Sequence, residues 1–319
     1  MMQHYQKPPL DIPAQIQKLK QRGLVIDDET RAASYLTRIG FYRLSAYFIP
    51  FEDLTNAAVE HAFLRDTHFD QILNLYIFDR KLRLLLLESF ERLEVAIRGL
   101  WSNALTMETG DAHAYMRSEY FSSYREHLKQ LNKAATDLAE SNEAFVKHYQ
   151  QKYNEPALPP TWAMVETLTL SALSRWYKNT GSNRVKTQVA DALGIRTVAL
   201  MDSILEAITV VRNTAAHHSR CWNRRFIKPL PNIKNLSQSL QATQAGRLDN
   251  HLYNYLVVIT HMMKAIHPST SWQTRLTREL LTLQTHQQRA MGFPENWQTM
   301  LFWQDAVTVA TSQYRQPQA

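Results

Sequence analysis

The densest chemistry in this sequence lies in one run, Val211-Arg-Asn-Thr-Ala-Ala-His-His-Ser-Arg-Cys-Trp-Asn-Arg-Arg225. It places a guanidinium at Arg212, an amide at Asn213 and imidazoles at His217 and His218, ahead of Arg220, Trp222, Asn223, Arg224, Arg225 and Lys228. A histidine titrates near neutrality and so serves as a general acid or base, while an arginine stabilises charge that builds on phosphate oxygens. Arginines also hold phosphates, and an aromatic side chain set among them can stack a base.

Helical geometry separates the two histidines. With Ile204 at zero and about 100° per residue, Ile208, Val211 and Ala215 fall at about 40°, 340° and 20°, a core stripe. Asn213 and His217 fall on the opposite face at about 180° and 220°, and Arg212 on the flank at about 80°. His218, at about 320°, lies at the edge of the stripe and reads as a packed or helix-end residue. A histidine on a polar face is ordinarily just solvated, and an arginine near a helix C-terminus commonly does no more than satisfy the dipole. The setting favours function. From Ala207 to Leu248 there is no acidic residue, while Arg212, Arg220, Arg224, Arg225, Lys228, Lys234 and Arg247 carry seven positive charges. These seven equal the whole net charge of +7 at pH 7, and such a patch points to a polyanionic partner.

Other chemistries lack their residues. The 8 glycines are never closer than eleven positions, so no phosphate-cradling glycine loop and no nucleophile elbow can form. None of the 12 histidines precedes a glutamate, which removes the His-Glu-x-x-His zinc helix. A single cysteine, Cys221, excludes a disulfide framework and a cysteine metal knuckle. Asp66, His68 and Asp70 alternate, yet Thr67 and Asp70 read better as a helix start, so no metal and no cofactor are expected. The opening MMQHYQKPPLDIP lacks the apolar region of a signal peptide. The apolar run Leu82 to Leu87 contains Arg83 and falls far short of the ~20 residues a bilayer span needs. The sequence thus predicts a soluble, cytoplasmic protein with no membrane partner.

The elements that position these residues read as helices throughout. Ile12–Arg22 and Asp28–Ile39 are short helices, the second capped by Gly40. Phe41, Tyr42, Tyr47, Phe48 and Phe51 follow as an aromatic segment of core type, broken by Pro50. A long helix is predicted from Thr67 to about Leu105, with Phe69, Leu73, Tyr76, Leu86, Phe90, Leu93, Ile97 and Trp101 on its apolar face. The pairs Glu88–Arg92 and Glu94–Arg98 mark its solvated face. Further helices are expected at 118–153, 162–177, 184–193, 198–218, 249–266 and 272–289, before a weakly structured end. Pro156, Pro159 and Pro160 join two helices of one domain. The fold class is all-α.

Arg212-Asn213-x-x-x-His217 resembles the Arg-Asn-x-x-x-His signature of the HEPN superfamily of α-helical ribonucleases. Several blocks resemble Abi-like proteins of the AbiD/AbiF type, bacterial abortive-infection proteins: residues 7–28, YLTRIGFYRLSAY at 35–47, residues 75–98, residues 158–179 and VRNTAAHHSRCWNRRF at 211–226. The resemblance implies a HEPN-like helical bundle at 61–266, with an N-terminal helical and aromatic segment at 1–60 packed on it and a C-terminal helical tail at 267–319. It implies metal-independent RNA cleavage by attack of the ribose 2′-hydroxyl. His217 would be the general acid or base, Arg212 would stabilise the phosphorane, and Asn213 would orient histidine or phosphate. Arg220, Trp222, Asn223, Arg224, Arg225 and Lys228 would bind the RNA. A homodimer with a composite site is implied too, since Arg-x4–6-His occurs in this chain only at Arg212. An antitoxin or regulatory RNA is a further expected partner. Three readings stay open: a ribonuclease effector of anti-phage defence, a protein that holds RNA through 207–248 without cutting it, and a helical scaffold in which the motif is incidental.

Overall fold

Helix caps set the first boundaries as the sequence suggests. Asp11 accepts the Ala14 N–H at 2.9 Å and Asp28 the Arg31 N–H at 2.9 Å, opening α1 (Ile12–Gln21) and α2 (Glu29–Ile39). Gly40, at φ +88°, ends α2 with its N–H on the Leu36 carbonyl and starts the short α3 (Phe41–Ser45). The computed structural model describes residues 4, 8–56 and 58–312. Lys7 at the head of the first family block, much of the chain start and residues 313–319 of the expected tail lie outside them.

The remaining helices are α4 (Phe69–Thr109), α5 (Tyr124–Ala139), α6 (Ala144–Lys152), α7 (Thr161–Met164), α8 (Leu170–Asn179), α9 (Asn183–Ala192) and α10 (Val198–Ala216). After a long irregular segment come α11 (Leu252–Ile266), α12 (Trp272–Leu280), α13 (Thr285–Arg289) and α14 (Gln304–Ser312). Only isolated bridges, and no strand, occur among the described residues, so the fold is all-α. The chain divides into two compact units, residues 1–81 and 82–319.

In the first unit the aromatic segment splits. Tyr47, Phe48 and Phe51 are buried, whereas Tyr42 is 93% exposed. Arg22 ties this unit together, pairing with Glu52 at 2.8 Å and lying over the Phe63 ring at 4.7 Å. Thr67 does not open α4. Its hydroxyl donates to the Leu64 carbonyl in the preceding turn, and Gln71 instead accepts the His68 N–H at 2.9 Å. His68 faces Asp27 at 2.7 Å, Asp70 faces Arg31 at 3.5 Å and Asp66 faces Arg65 at 3.7 Å, so the alternating triplet has three separate partners.

In the second unit several predicted helices are interrupted where polar side chains compete for the backbone. The helix expected at 118–153 becomes α5 and α6, parted at Ser141, whose hydroxyl accepts the Glu143 N–H at 3.2 Å. The helix expected at 162–177 becomes α7 and α8, because Leu168 is extended and Thr169 caps a fresh start through the Ala172 N–H. Residues 272–289 form α12 and α13, the latter opened by a Gln284–Gln287 capping box. The end is not weakly structured up to Ser312. Trp297 and Trp303 are 1% and 0% exposed and form one aromatic cluster with Phe293 and Tyr253, its neighbouring ring centroids 4.8 to 6.2 Å apart. No helix among the described residues is long and apolar enough to cross a membrane.

Candidate functional site

Helix α10 presents the candidate residues. Thr197 caps it through the Leu200 N–H at 3.2 Å, and Ile204, Ile208, Val211 and Ala215 are fully buried, forming the core stripe that the periodicity predicts. Its C-terminus is a Schellman motif: the Ser219 N–H reaches the Thr214 carbonyl and the His218 N–H the Ala215 carbonyl, each at 3.0 Å. His217 is the C-cap residue and is exposed, as expected. For His218 the helix-end reading holds and the packed one is corrected. The helix ends before it, it takes the left-handed conformation at φ +56°, and its side chain is exposed rather than packed on the apolar stripe.

Arg212, half-buried, leans on α4. Its Nη2 donates to Glu94 Oε2 and its Nη1 to Asn213 Oδ1, both at 3.4 Å. Asn213 holds the other end of the motif through its backbone, the carbonyl accepting the His217 N–H at 2.9 Å. The Asn213 side chain is therefore bonded to the arginine. The structure joins Arg212 and Asn213 directly and places His217 five residues on, about 7.5 Å along the helix axis.

The pair Glu94–Arg98 is also a correction. It does not lie on a solvated face: the side chains are only 10% and 16% exposed. Glu94 Oε1 accepts from Arg98 Nη2 at 2.7 Å, and Arg98 reaches the Leu168 carbonyl at 2.5 Å. Sequence reasoning missed Glu94 as a site residue, although a signal was there. With Phe90, Leu93, Ile97 and Trp101 as the apolar stripe, position 94 falls at i+4 and i−3 inside it, and a carboxylate there must be buried and paired. A cleft of about 330 Å³ opens beside Arg212, lined also by Phe90, Glu91, Glu94, Val95 and Arg98.

The basic tract beyond α10 has no α-helix, yet it is bound down along its length. Phe226, Leu230, Ile233 and Leu236 are buried beneath it. Helix α11 stitches it in place: Tyr255 donates to the Lys228 carbonyl at 2.6 Å, Tyr253 to the Ser239 carbonyl at 2.8 Å, and Asn254 bonds the Gln241 backbone in both senses at 2.8 Å. Burial pushes Tyr253 up to about 12, so that hydroxyl stays a donor.

The predicted RNA-binding set divides on this scaffold. Arg224 and Arg225 are exposed, and Arg220 and Asn223 are partly so. Arg225 Nε donates to His251 Nε2 at 3.2 Å, and the His251 ring rests on Asp249 at 2.6 Å. Lys228 is exposed but pairs with Glu206, which also takes Lys178 at 2.5 Å; these two bonds hold the Glu206 carboxyl below its ordinary range. Trp222 is a correction. It is fully buried, with Nε1 donating to the Gln287 carbonyl at 3.1 Å, so it cannot stack a base. Ile227, 90% exposed, is the large apolar side chain that the tract offers to solvent.

No curated protein and no solved structure matches this chain. One family model does, that described as Abi-like protein, over residues 34–223, a span that runs from α2 through the whole of α10 to Asn223. By that match, covering more than half of its length, the chain belongs to the Abi-like protein family.

Proposed function

We propose that this protein acts in abortive-infection defence as a metal-independent endoribonuclease of HEPN type. Family membership suggests the defence role. The observation that carries the enzymatic reading is the end of α10: a half-buried guanidinium at Arg212 and an exposed imidazole at His217 stand on one rigid helix, and exposed Arg224 and Arg225 follow it on a bound-down loop. The ribose 2′-oxygen attacks the adjacent phosphorus, its proton passes to an imidazole, and the leaving 5′-oxygen receives a proton. A cyclic phosphate and a 5′-hydroxyl result. Arg212 holds the phosphorane oxygens, where charge grows in the transition state.

One proton is taken and one is given, and each chain offers a single Arg-x4-His pair. A homodimer that brings two α10 termini together supplies both groups, with the Arg224 and Arg225 side chains of both protomers along the RNA path. Mixing tests this. A His217→Ala chain mixed in excess with the wild type is expected to suppress cleavage beyond simple dilution, because every hybrid dimer lacks one of the two imidazoles. A protein that sediments as a monomer while cleaving RNA at full rate would rule the composite site out.

RNA capture is tested by salt. Changing Arg224 and Arg225 together to Ala removes two phosphate contacts and should flatten the slope of log affinity against log salt by about 1 to 2. An unchanged slope removes this stretch from the interface. The decisive experiment is sequencing of RNA ends after expression of the wild type and of His217→Ala. New ends confined to the wild type support cleavage, whereas retained RNA without new ends in either supports holding RNA intact through residues 207–248.

A further inference from the structure

We propose that Glu94 is the positioning residue of Arg212, fixing the guanidinium at the mouth of its cleft through a relay that starts at the Leu168 carbonyl. The inference rests on the reading of Arg212 as the phosphate-stabilising group and adds to it a second helix.

The relay has three links. The Leu168 carbonyl accepts from Arg98 Nη2 at 2.5 Å, the same Nη2 donates to Glu94 Oε1 at 2.7 Å, and Glu94 Oε2 accepts from Arg212 Nη2 at 3.4 Å. Each carboxylate oxygen thus serves one arginine. Three parts of the fold meet here: the turn before α8, the middle of α4 and the end of α10.

The division of partners shows which arginine depends on Glu94. Arg98 has other acceptors, the Leu168 carbonyl and Glu166 at 3.4 Å, and it stays bonded if Glu94 is removed. Among the described residues, Arg212 has Glu94 as its carboxylate partner and otherwise only the neutral Asn213 amide. Stability alone does not account for the arrangement, since a buried ion pair is often no better than an apolar pair of the same volume. What the carboxylate adds is orientation and charge balance. It accepts from a guanidinium, and it keeps two cations from repelling each other across α4 and α10.

The unequal lengths suit that task. The Arg98 link is short, so the carboxylate is held firmly. The Arg212 link is long, and apo geometry of this kind tightens when substrate binds. Arg212 lines the cleft together with Glu91 and Glu94, whose carboxylates discourage a phosphate from entering it. The anion is therefore met at the lip, on the side toward the end of α10.

The test uses the full-length protein with Glu94→Gln, which keeps the shape, beside Glu94→Ala and Glu94→Asp. Three measurements are made: single-turnover RNA cleavage, RNA affinity at low salt, and rotation of the Arg212 guanidinium by nitrogen-15 relaxation. Misplacing a catalytic group by about 1 Å costs about 10²-fold in rate. Glu94→Ala and Glu94→Gln should lose that much in kcat while RNA affinity holds or rises, and Glu94→Asp should recover part of the loss. Arg212 rotation should quicken in Glu94→Gln. A folded Glu94→Gln protein that cleaves at the wild-type rate with unchanged Arg212 rotation overturns the proposal. If the wild type itself cleaves no RNA, the ribonuclease reading fails by that result, and rotation decides the relay separately: faster in Glu94→Gln supports it, unchanged rejects it.

Discussion

His217→Ala is expected to lower the rate of RNA cleavage by about 10² to 10⁴-fold, the usual contribution of a general acid or base, while the melting temperature stays where it is. The second half follows from position. His217 is the exposed C-cap of α10, and what the cap supplies to the fold is a backbone N–H bonded to Asn213, which alanine keeps. The contrast with His218 separates chemistry from folding. His218 occupies a left-handed position in the Schellman turn, where any Cβ, histidine's or alanine's, costs about 1 to 2 kcal/mol relative to glycine. His218→Ala should therefore keep cleavage, and His218→Gly should keep it too while melting at a higher temperature than His218→Ala. Cleavage lost in His218→Ala and kept in His217→Ala would transfer the chemistry to the second histidine.

The largest loss of stability is expected from Trp222→Ala, about 3 to 5 kcal/mol for a buried tryptophan cut back to a methyl. Trp222 is fully buried, and its indole N–H meets the Gln287 carbonyl at 3.1 Å on α13. The neighbouring Gln288 accepts from the Trp297 indole at 3.0 Å and donates to the Leu280 carbonyl at 2.9 Å, so the start of the basic tract is pinned to a polar knot within the C-terminal aromatic cluster. Trp222→Phe should fall between, refilling most of the volume but leaving the carbonyl without its donor at about 1 to 3 kcal/mol. Urea unfolding measures both. A stacking tryptophan would behave oppositely: RNA affinity would drop by about 1 to 3 kcal/mol and the urea midpoint would not move. That pattern would place Trp222 on the RNA after all.

The legible parts of the fold were those written in local spacing. Asp28 and Gly40 announce the two ends of the second helix, because a cap needs only the residues within one turn of it. The interruptions at Ser141 and Thr169 were less visible. Apolar periodicity runs on through both positions, and only the competition of a short hydroxyl side chain for the backbone reveals the break.

By itself the sequence determined that the fold is helical, that the positive charge is concentrated between Ala207 and Leu248, and that one face of α10 is core while Arg212, Asn213 and His217 stay off it. These are properties of composition and of a 3.6-residue period, which a chain carries before it folds. Only the tertiary structure decided that Trp222 is buried, that Lys228 is paired to Glu206, that the helix stops short of His218, and that Glu94 lies under Arg212. The partners in the two decisive contacts are 65 and 118 residues away, Gln287 for Trp222 and Glu94 for Arg212. In an irregular segment there is no period to say which side chain faces inward, so its burial is set by whatever surface the rest of the chain brings against it.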